Sequence, residues 1–267
     1  MSPLRRCCAI AVVVCIWLFA PACSQAEGEA TGPTVHHGEH LPQSEPSEHG
    51  PLRDHAGDEH WEGSPAGKTY SERNHWLAGI LLLLIGFGEW QTVRGDAPGW
   101  MGGLVPAALL ASGAFLLIWS DHDAWPIGSM SLRDTLFGGD PEIVQHKLFG
   151  LISLVVGGIE AGRRSRRLSS GGWELLLPAF AIVGGFMLLA HHHGPHPSAH
   201  QIAQHHTLMA GFAIAAGLAK LLAIGCGSRV MPGLPGLPRR FDCTMLGTRL
   251  WAGLVMMVGL LLVLYRE

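Results

Sequence analysis

The chain has 267 residues, of which 48% are apolar and 15% are charged, and its mean hydropathy is positive. This composition excludes a chain disordered throughout and argues against an ordinary soluble domain, because the apolar residues fall into long runs almost free of charge. The 18 Lys and Arg residues nearly balance the 21 Asp and Glu residues, so nucleic-acid binding has no electrostatic support. The unusual count is 16 histidines, and their placement carries most of the functional argument.

The amino terminus is typical of an export signal. An arginine pair precedes an apolar stretch from Ala9 to Phe19, and Ala20-Pro21-Ala22 supplies the small-x-small pattern that a signal peptidase needs. We predict a signal peptide over residues 1–22. The sequence FAPAC also resembles a bacterial lipoprotein box ending at Cys23, so lipid attachment there is an alternative. Either process delivers the following residues outside the cytoplasm.

The cysteines give little information about disulfides. Of the six, only Cys226 and Cys243 lie in the body of the protein, and no CxxC pair occurs. The sequence therefore argues against a thiolate metal site.

Residues 23–74 lack apolar periodicity and consist mainly of Gly, Pro, Ser, Glu, Asp and His, so they are predicted to form a disordered periplasmic tether. Their irregularly spaced histidines, with acidic neighbours, suit low-affinity capture of divalent ions. A merely solubilising linker is the alternative. The six histidines of the tether are His36, His37, His40, His49, His55 and His60.

The region 75–267 is predicted to be an all-α, polytopic integral membrane helical bundle. Six apolar runs are each long enough, at about 1.5 Å per residue, to cross most of a bilayer of roughly 30 Å. Tryptophans at or near the ends of several runs support these boundaries, because amphipathic rings settle at the headgroup level. The predicted helices are Trp76 to Trp90, Trp100 to Trp119, Ile143 to Ile159, Leu175 to Ala190, Thr207 to about Gly225, and Leu250 to Tyr265.

Basic residues predict the orientation. The loops after the first, third and fifth helices are rich in arginine, whereas the other loops hold only Arg133 and Lys147, and basic loops stay in the cytoplasm. Together with the export signal, this places the protein in a bacterial inner membrane with the tether and the carboxyl terminus on the periplasmic side. The arginines are Arg94, Arg163, Arg164, Arg166, Arg167, Arg229, Arg239, Arg240 and Arg249.

In this topology all 16 histidines fall on the outer face. Imidazole suits copper, zinc, nickel and iron, and the neutral ring binds without releasing a proton, so the distribution predicts a metal-handling surface. Outside the tether these histidines are His75, His122, His146, His191, His192, His193, His196, His200, His205 and His206.

The segment from His191 to His206 is the densest cluster. A short hairpin there brings two helix ends together, and His146 with Asp121, His122 and Asp123 lies at the same predicted depth, so three or four side chains are expected to meet on one ion. A solvated polar loop that ends two helices is the alternative. For His75 or His122 taken alone, the interfacial interpretation is favoured.

Two carboxylates, Glu89 and Glu160, lie within apolar helices near their cytoplasmic ends. A charge buried in the membrane costs at least roughly 2.5 kcal/mol unless it is paired or protonated, so such residues are candidate transport sites. Pairing with Arg94, Arg163 or Arg164 is the simpler interpretation.

Three stretches together resemble the membrane module of bacterial copper resistance D-type proteins, over roughly residues 119–222. They are DHDAWPIG from Asp121, DPEIVQHKLF from Asp140, and GGFMLLAHHH from Gly184 with the later pair His205-His206. The resemblance implies a polytopic inner-membrane protein that imports periplasmic copper or holds it for delivery. It places copper ligands at His146, His191, His193 and His206.

The sequence thus predicts a copper-binding protein of uptake, homeostasis or resistance, with metal ions and a periplasmic copper chaperone as partners and no enzymatic activity. The principal alternative is a redox protein with b-type haem, held by two of His146, His193, His205 and His206. A metal-dependent membrane enzyme is disfavoured because no nucleophile or general base is recognisable.

Overall fold

The computed structural model describes residues 64–95, 98–169, 172–190, 199–227 and 243–266. The predicted signal peptide, the histidines of the tether and His191, His192, His193 and His196 lie outside the described residues, so those predictions stay predictions.

The described residues are helical and contain no strand. Two short 3-10 helices, Gly99–Gly103 and Trp173–Leu175, precede the second and fifth α-helices. The α-helices are α1 Pro65–Arg94, α2 Leu104–Ile118, α3 Leu132–Phe137, α4 Pro141–Arg164, α5 Leu176–Leu189, α6 Ala199–Gly227 and α7 Cys243–Val263.

Among the described residues, five helical segments are long and apolar enough to cross a membrane. The fourth of the six predicted spans corresponds to a segment that begins at Trp173 and ends at Leu189 and is apolar but shorter than the other five, so six full-length spans are not shown. At about 1.5 Å per residue its 17 residues reach only about 25 Å, below the roughly 30 Å of a bilayer core. The described residues accordingly contain five apolar helices that fit a membrane-embedded protein and one shorter apolar helix.

Local capping explains where two helices begin. The Ser64 hydroxyl accepts a hydrogen bond from the backbone N–H of Gly67 at 3.0 Å, and Pro65 follows in the first turn, so α1 starts at Pro65 rather than at His75. Residues 65–74 are therefore helical and do not belong to the tether. Likewise Asp140 caps α4 by accepting from Glu142 and Ile143, which gives the Asp-Pro-Glu sequence a structural role.

The six long helices pack as a closed ring. In order around the ring, α1 contacts α2, α2 contacts α4, α4 contacts α5, α5 contacts α6, α6 contacts α7, and α7 returns to α1. Close backbone approach helps to close it: a Cβ added at Gly79 of α1 would lie 2.6 Å from the carbonyl oxygen of Gly259 on α7. The first and last membrane helices are thus neighbours, which brings the two ends of the bundle sequence together.

The apolar core lies inside this ring. Its buried side chains come from all six long helices and pack around Trp251, which is 2% exposed. The cluster comprises Ile85, Val105, Ala108, Leu109, Val156, Leu177, Ala216, Ala219, Trp251, Ala252 and Val255. Polar side chains gather at the two ends of the ring, above and below this layer.

Candidate functional site

The alternating directions of the helices place the described histidines together at one end of the ring. The starts of α1, α4 and α6 and the ends of α2 and α7 meet there, and we call it the histidine end. The opposite end, called the arginine end, carries Arg94, Arg163 and Arg164. The described members of the histidine end are His75, His122, His146, His200, His205 and His206.

Asp121 fixes the ring of His146. The Nδ1 atom of His146 lies 2.8 Å from Asp121 Oδ1, and Lys147 Nζ lies 3.2 Å from Asp121 Oδ2, while the Ser120 hydroxyl donates to the same carboxylate. Burial raises the pKa of Asp121, but the hydrogen bond from His146, the charge of that ring, the Ser120 hydroxyl and Lys147 together outweigh it, so the pKa falls below its ordinary value. An ionised Asp121 that accepts from Nδ1 fixes the tautomer and the ring orientation of His146.

A second His–Asp pair lies beside the first. His122 Nε2 is 2.8 Å from Asp123 Oδ2, and the His122 ring meets Tyr70 edge-on at 5.8 Å between centroids. The Tyr70 hydroxyl donates to the backbone carbonyl of Trp119 at 2.5 Å. The first turns of α1 therefore hold the loop that carries both aspartates.

An aromatic cluster joins α1, α6 and α7 at the same end. The rings of His75 and Tyr265 stack with centroids 4.0 Å apart, and the His75 and His206 centroids are 6.1 Å apart. His206 is 3% exposed and Tyr265 is 1% exposed. The interfacial interpretation of His75 is therefore incomplete, because the closure of the ring between α1 and α7 places it beside His206.

The predicted convergence of three or four ligands is not found among the described residues. Within that part of the chain no group of three or more His, Cys, Asp or Glu side chains is arranged to hold a metal ion. His200 is exposed and its Nε2 lies 3.1 Å from the side-chain amide of Gln204, and His205 meets Tyr265 edge-on at 6.0 Å. The described histidines thus form pairs rather than one cluster.

A cavity of about 420 Å³ connects these pairs. Its lining reaches the histidine end, and we call the polar part of this lining the mouth, formed by His75, Asp121, His122, Asp123, Asp140, Glu142, His146 and His206. Its deeper wall is mainly apolar and includes Ile85, Leu177 and Trp251 of the core. His75 and His206 therefore face the same space as the His146–Asp121 and His122–Asp123 pairs.

The arginine end is held by a buried charge network. Glu89, which is 2% exposed, bonds to both Arg164 and Lys220. Glu160 accepts from Arg164 Nε at 2.7 Å and from Arg163 Nη1 at 2.6 Å. Both intramembrane carboxylates are thus paired, with Arg163 and Arg164 as predicted and without a bond to Arg94.

Lys220 was missed by the sequence reasoning. It is a lone cation in the apolar run of α6, and a charge in such a run is itself a signal for a buried partner. Its Nζ atom also lies 5.9 Å from the centre of the Trp251 ring. The network therefore reaches the lower edge of the apolar core.

A disulfide joins Cys226 at the end of α6 to Cys243 at the start of α7. Spacing alone gave no reason to pair these cysteines, whereas the packing of α6 against α7 brings them together. Disulfides persist in oxidising compartments, while the arginines at this end predict the cytoplasm. The two indicators point to opposite orientations of the bundle.

No family model, no curated protein and no solved structure matches this chain. The resemblance to the copper resistance D-type module therefore stays a prediction that depends on the quoted motifs. What the fold and site define is a class: a membrane-embedded helical bundle with a histidine-lined cavity at one end and a buried charge network at the other.

Proposed function

We propose that this protein binds copper ions at its histidine end and serves copper uptake, homeostasis or resistance. The observation that carries the proposal is that His75, His122, His146 and His206 line the mouth of one cavity in a membrane-embedded bundle. Imidazole is a ligand that suits copper, and a common space allows ligands from different helices to act on one ion.

The geometry around His146 favours this role over a purely structural one. A carboxylate that holds one ring nitrogen of a histidine fixes the tautomer and orients the other nitrogen, which is the usual support of a metal ligand. Asp121 stands in that relation to His146 at 2.8 Å. His75 and His206 supply a second imidazole pair, 6.1 Å apart, on the other side of the ring.

In this proposal the tether histidines capture copper weakly and the mouth holds it more tightly. His191 and His193 complete the ligand set with His146 and His206, as the family resemblance implies. The bundle lies in a bacterial inner membrane with its histidine end toward the periplasm, where a copper chaperone delivers or receives the ion. The disulfide at the arginine end makes this orientation a point for direct measurement.

The test is elemental analysis of the detergent-purified full-length protein after a mild chelator wash. We expect stoichiometric copper in the wild type and its loss in the triple variant His75→Ala/His146→Ala/His206→Ala. His200→Ala is the matched control, because that residue lies outside the mouth and is exposed. Asp121→Asn is expected to weaken copper binding about tenfold, as losses of supporting carboxylates do.

Three results would overturn the proposal. Equal copper retention in the triple variant and the wild type would remove the mouth as the site. Failure of the wild type to retain any metal would reduce the histidines to weak ligands. Retained iron together with a strong Soret band would support the b-type haem alternative instead.

A further inference from the structure

The cavity continues well below its histidine mouth. Its lining runs from His206 to Ala216 on α6, which at about 1.5 Å per residue gives a depth of about 15 Å, and from Leu109 on α2 to Ser120 just beyond the end of that helix. All six long helices contribute to the lining. Its volume of about 420 Å³ lies within the range of small-molecule sites, which is roughly 300–1,000 Å³.

The inner part of this cavity is unsuited to a metal ion. Phe149 and Phe180 line it as a stacked pair with centroids 4.5 Å apart. The hydroxyl groups of Ser112 and Ser153 donate to backbone carbonyls at 2.8 and 2.9 Å, and two neutral hydroxyl oxygens do not replace the water shell of an ion. A hydrated ion would lose its water there without replacement, whereas an apolar body gains from burial.

The mouth has an excess of negative charge. Its lining contains the four carboxylates Asp121, Asp123, Asp140 and Glu142 and no lysine or arginine. Asp121 is paired with His146 and Lys147, and Asp123 with His122. An entering molecule is therefore favoured if its polar group is cationic, and a carboxylate or phosphate is repelled.

The deep end of the cavity offers one hydrogen-bond donor. The indole Nε1 of Trp251 is buried and has no hydrogen-bond partner among the described residues. Leaving a buried N–H without an acceptor costs about 1–3 kcal/mol, so an acceptor atom of a bound molecule would be stabilising at this place. This donor is separate from the mouth charges and marks the far end of the same cavity.

We propose that the cavity is a binding site for an elongated lipophilic amine. Its apolar body lies between the aromatic walls, its ammonium group meets the carboxylates of the mouth, and an acceptor oxygen at the far end, where present, bonds to Trp251. The site does not depend on copper binding, because the groups that select the amine are the carboxylates and the apolar walls. Occupation by such an amine would cover the space that the mouth histidines face.

The probe is dodecylamine, an amine whose extended chain suits the depth of the cavity. Its equilibrium binding to the full-length protein in lipid nanodiscs is compared with that of dodecanol and dodecanoic acid, which share the chain but differ in charge. We expect saturable binding of the amine, at least tenfold weaker binding of the alcohol, and none of the acid. Equal binding of all three would overturn the choice of ligand class and indicate partition into lipid.

Two neighbouring alanines of α6 give a matched pair of variants. Ala213 lines the cavity, whereas Ala215 lies on an exposed groove of the same helix. Ala213→Phe is expected to weaken amine binding at least tenfold, and Ala215→Phe is expected to leave it within twofold of the wild type. If Ala213→Phe does not fold, Ala181→Phe fills the cavity from α5.

The outcomes separate this inference from the copper proposal. Unchanged amine binding in both folded cavity-filling variants would overturn the site, and equal loss in Ala215→Phe would also count against it. Copper retention, compared between the wild type and the triple variant His75→Ala/His146→Ala/His206→Ala, tests the mouth ligands independently. Copper without saturable amine binding would leave the proposed function intact and refute this inference alone.

Discussion

Neutralising Glu89 tests whether the arginine end is held by its buried charges. Glu89→Gln leaves Lys220 without the carboxylate that it contacts, while Arg164 keeps Glu160. Lys220→Met, in contrast, leaves Glu89 still bonded to Arg164. We therefore expect the glutamine variant to be the more destabilised of the two, with the double variant recovering part of the loss.

The magnitude follows from burial. Removing one partner of a buried ion pair costs about 3–5 kcal/mol, because it leaves the other charge uncompensated. Lys220 is about one-fifth exposed, so water partly solvates the charge that Glu89→Gln leaves behind. The expected loss in the free energy of unfolding is therefore near the lower limit of this range, at about 3 kcal/mol. The matched control is Glu174→Gln: that carboxylate is 34% exposed and 3.7 Å from Arg163, so its loss is worth about 0–1 kcal/mol.

The assay is reversible unfolding in bicelles, followed by helical circular dichroism, for the four variants and the wild type. A double-variant cycle over Glu89 and Lys220 gives their coupling free energy directly. A loss below about 1 kcal/mol for Glu89→Gln, or equal losses for Glu89→Gln and Glu174→Gln, would refute the reasoning, since the network would then act like a surface pair.

Three further predictions concern other parts of the ring. Gly79→Leu should lower the free energy of unfolding by at least about 1–3 kcal/mol, because the new side chain pushes α1 away from α7. Gly253→Leu is the control and should leave the stability unchanged, because a Cβ there meets nothing within 4 Å. Equal unfolding midpoints for the two variants would contradict this prediction. Because the pKa of Asp121 is lower in the folded than in the unfolded protein, the ionised side chain stabilises the fold at pH values above an ordinary Asp pKa of about 3.9. This contribution is lost as the pH falls through the lowered pKa of the folded protein. In Asp121→Asn, the decrease in the free energy of unfolding on acidification should therefore be smaller than in the wild type. If Cys226 and Cys243 are bonded in cells, a thiol-reactive label should modify them only after reduction, and labelling of intact cells by an impermeant reagent would report which side they face.

Sequence pattern predicted the helices well because each apolar run carries its own signal. It failed to predict the bounds of a helix where the length of the apolar run or an N-terminal cap sets them. The run ending in Ala190 yields only a short helix, and the polar residues before His75 continue α1 because Ser64 and Pro65 start it earlier. Local composition does not contain these end effects, since a cap depends on a single hydroxyl and one turn of backbone.

The functional residues were likewise predicted only in part from the sequence. The Asp-Pro-Glu sequence and the nearby Asp121 placed His146 correctly at a helix start, and the structure brings the two side chains together. The pairing of His75 with His206 and Tyr265 could not be read from spacing, because it depends on the return of the last helix to the first. Lys220 did carry a sequence signal, as a lone charge within an apolar run.

The charge network also constrains the order in which the chain enters the membrane. Glu89 is made 75 positions before Arg164 and 131 positions before Lys220, so both of its cationic partners are synthesised after the first helix. A carboxylate in that position costs roughly 2.5–3.5 kcal/mol until it is paired or protonated. The first helix is therefore expected to remain beside the insertion machinery until α4 and α6 arrive, and a nascent chain stalled before α6 should be a preferred substrate for membrane proteases.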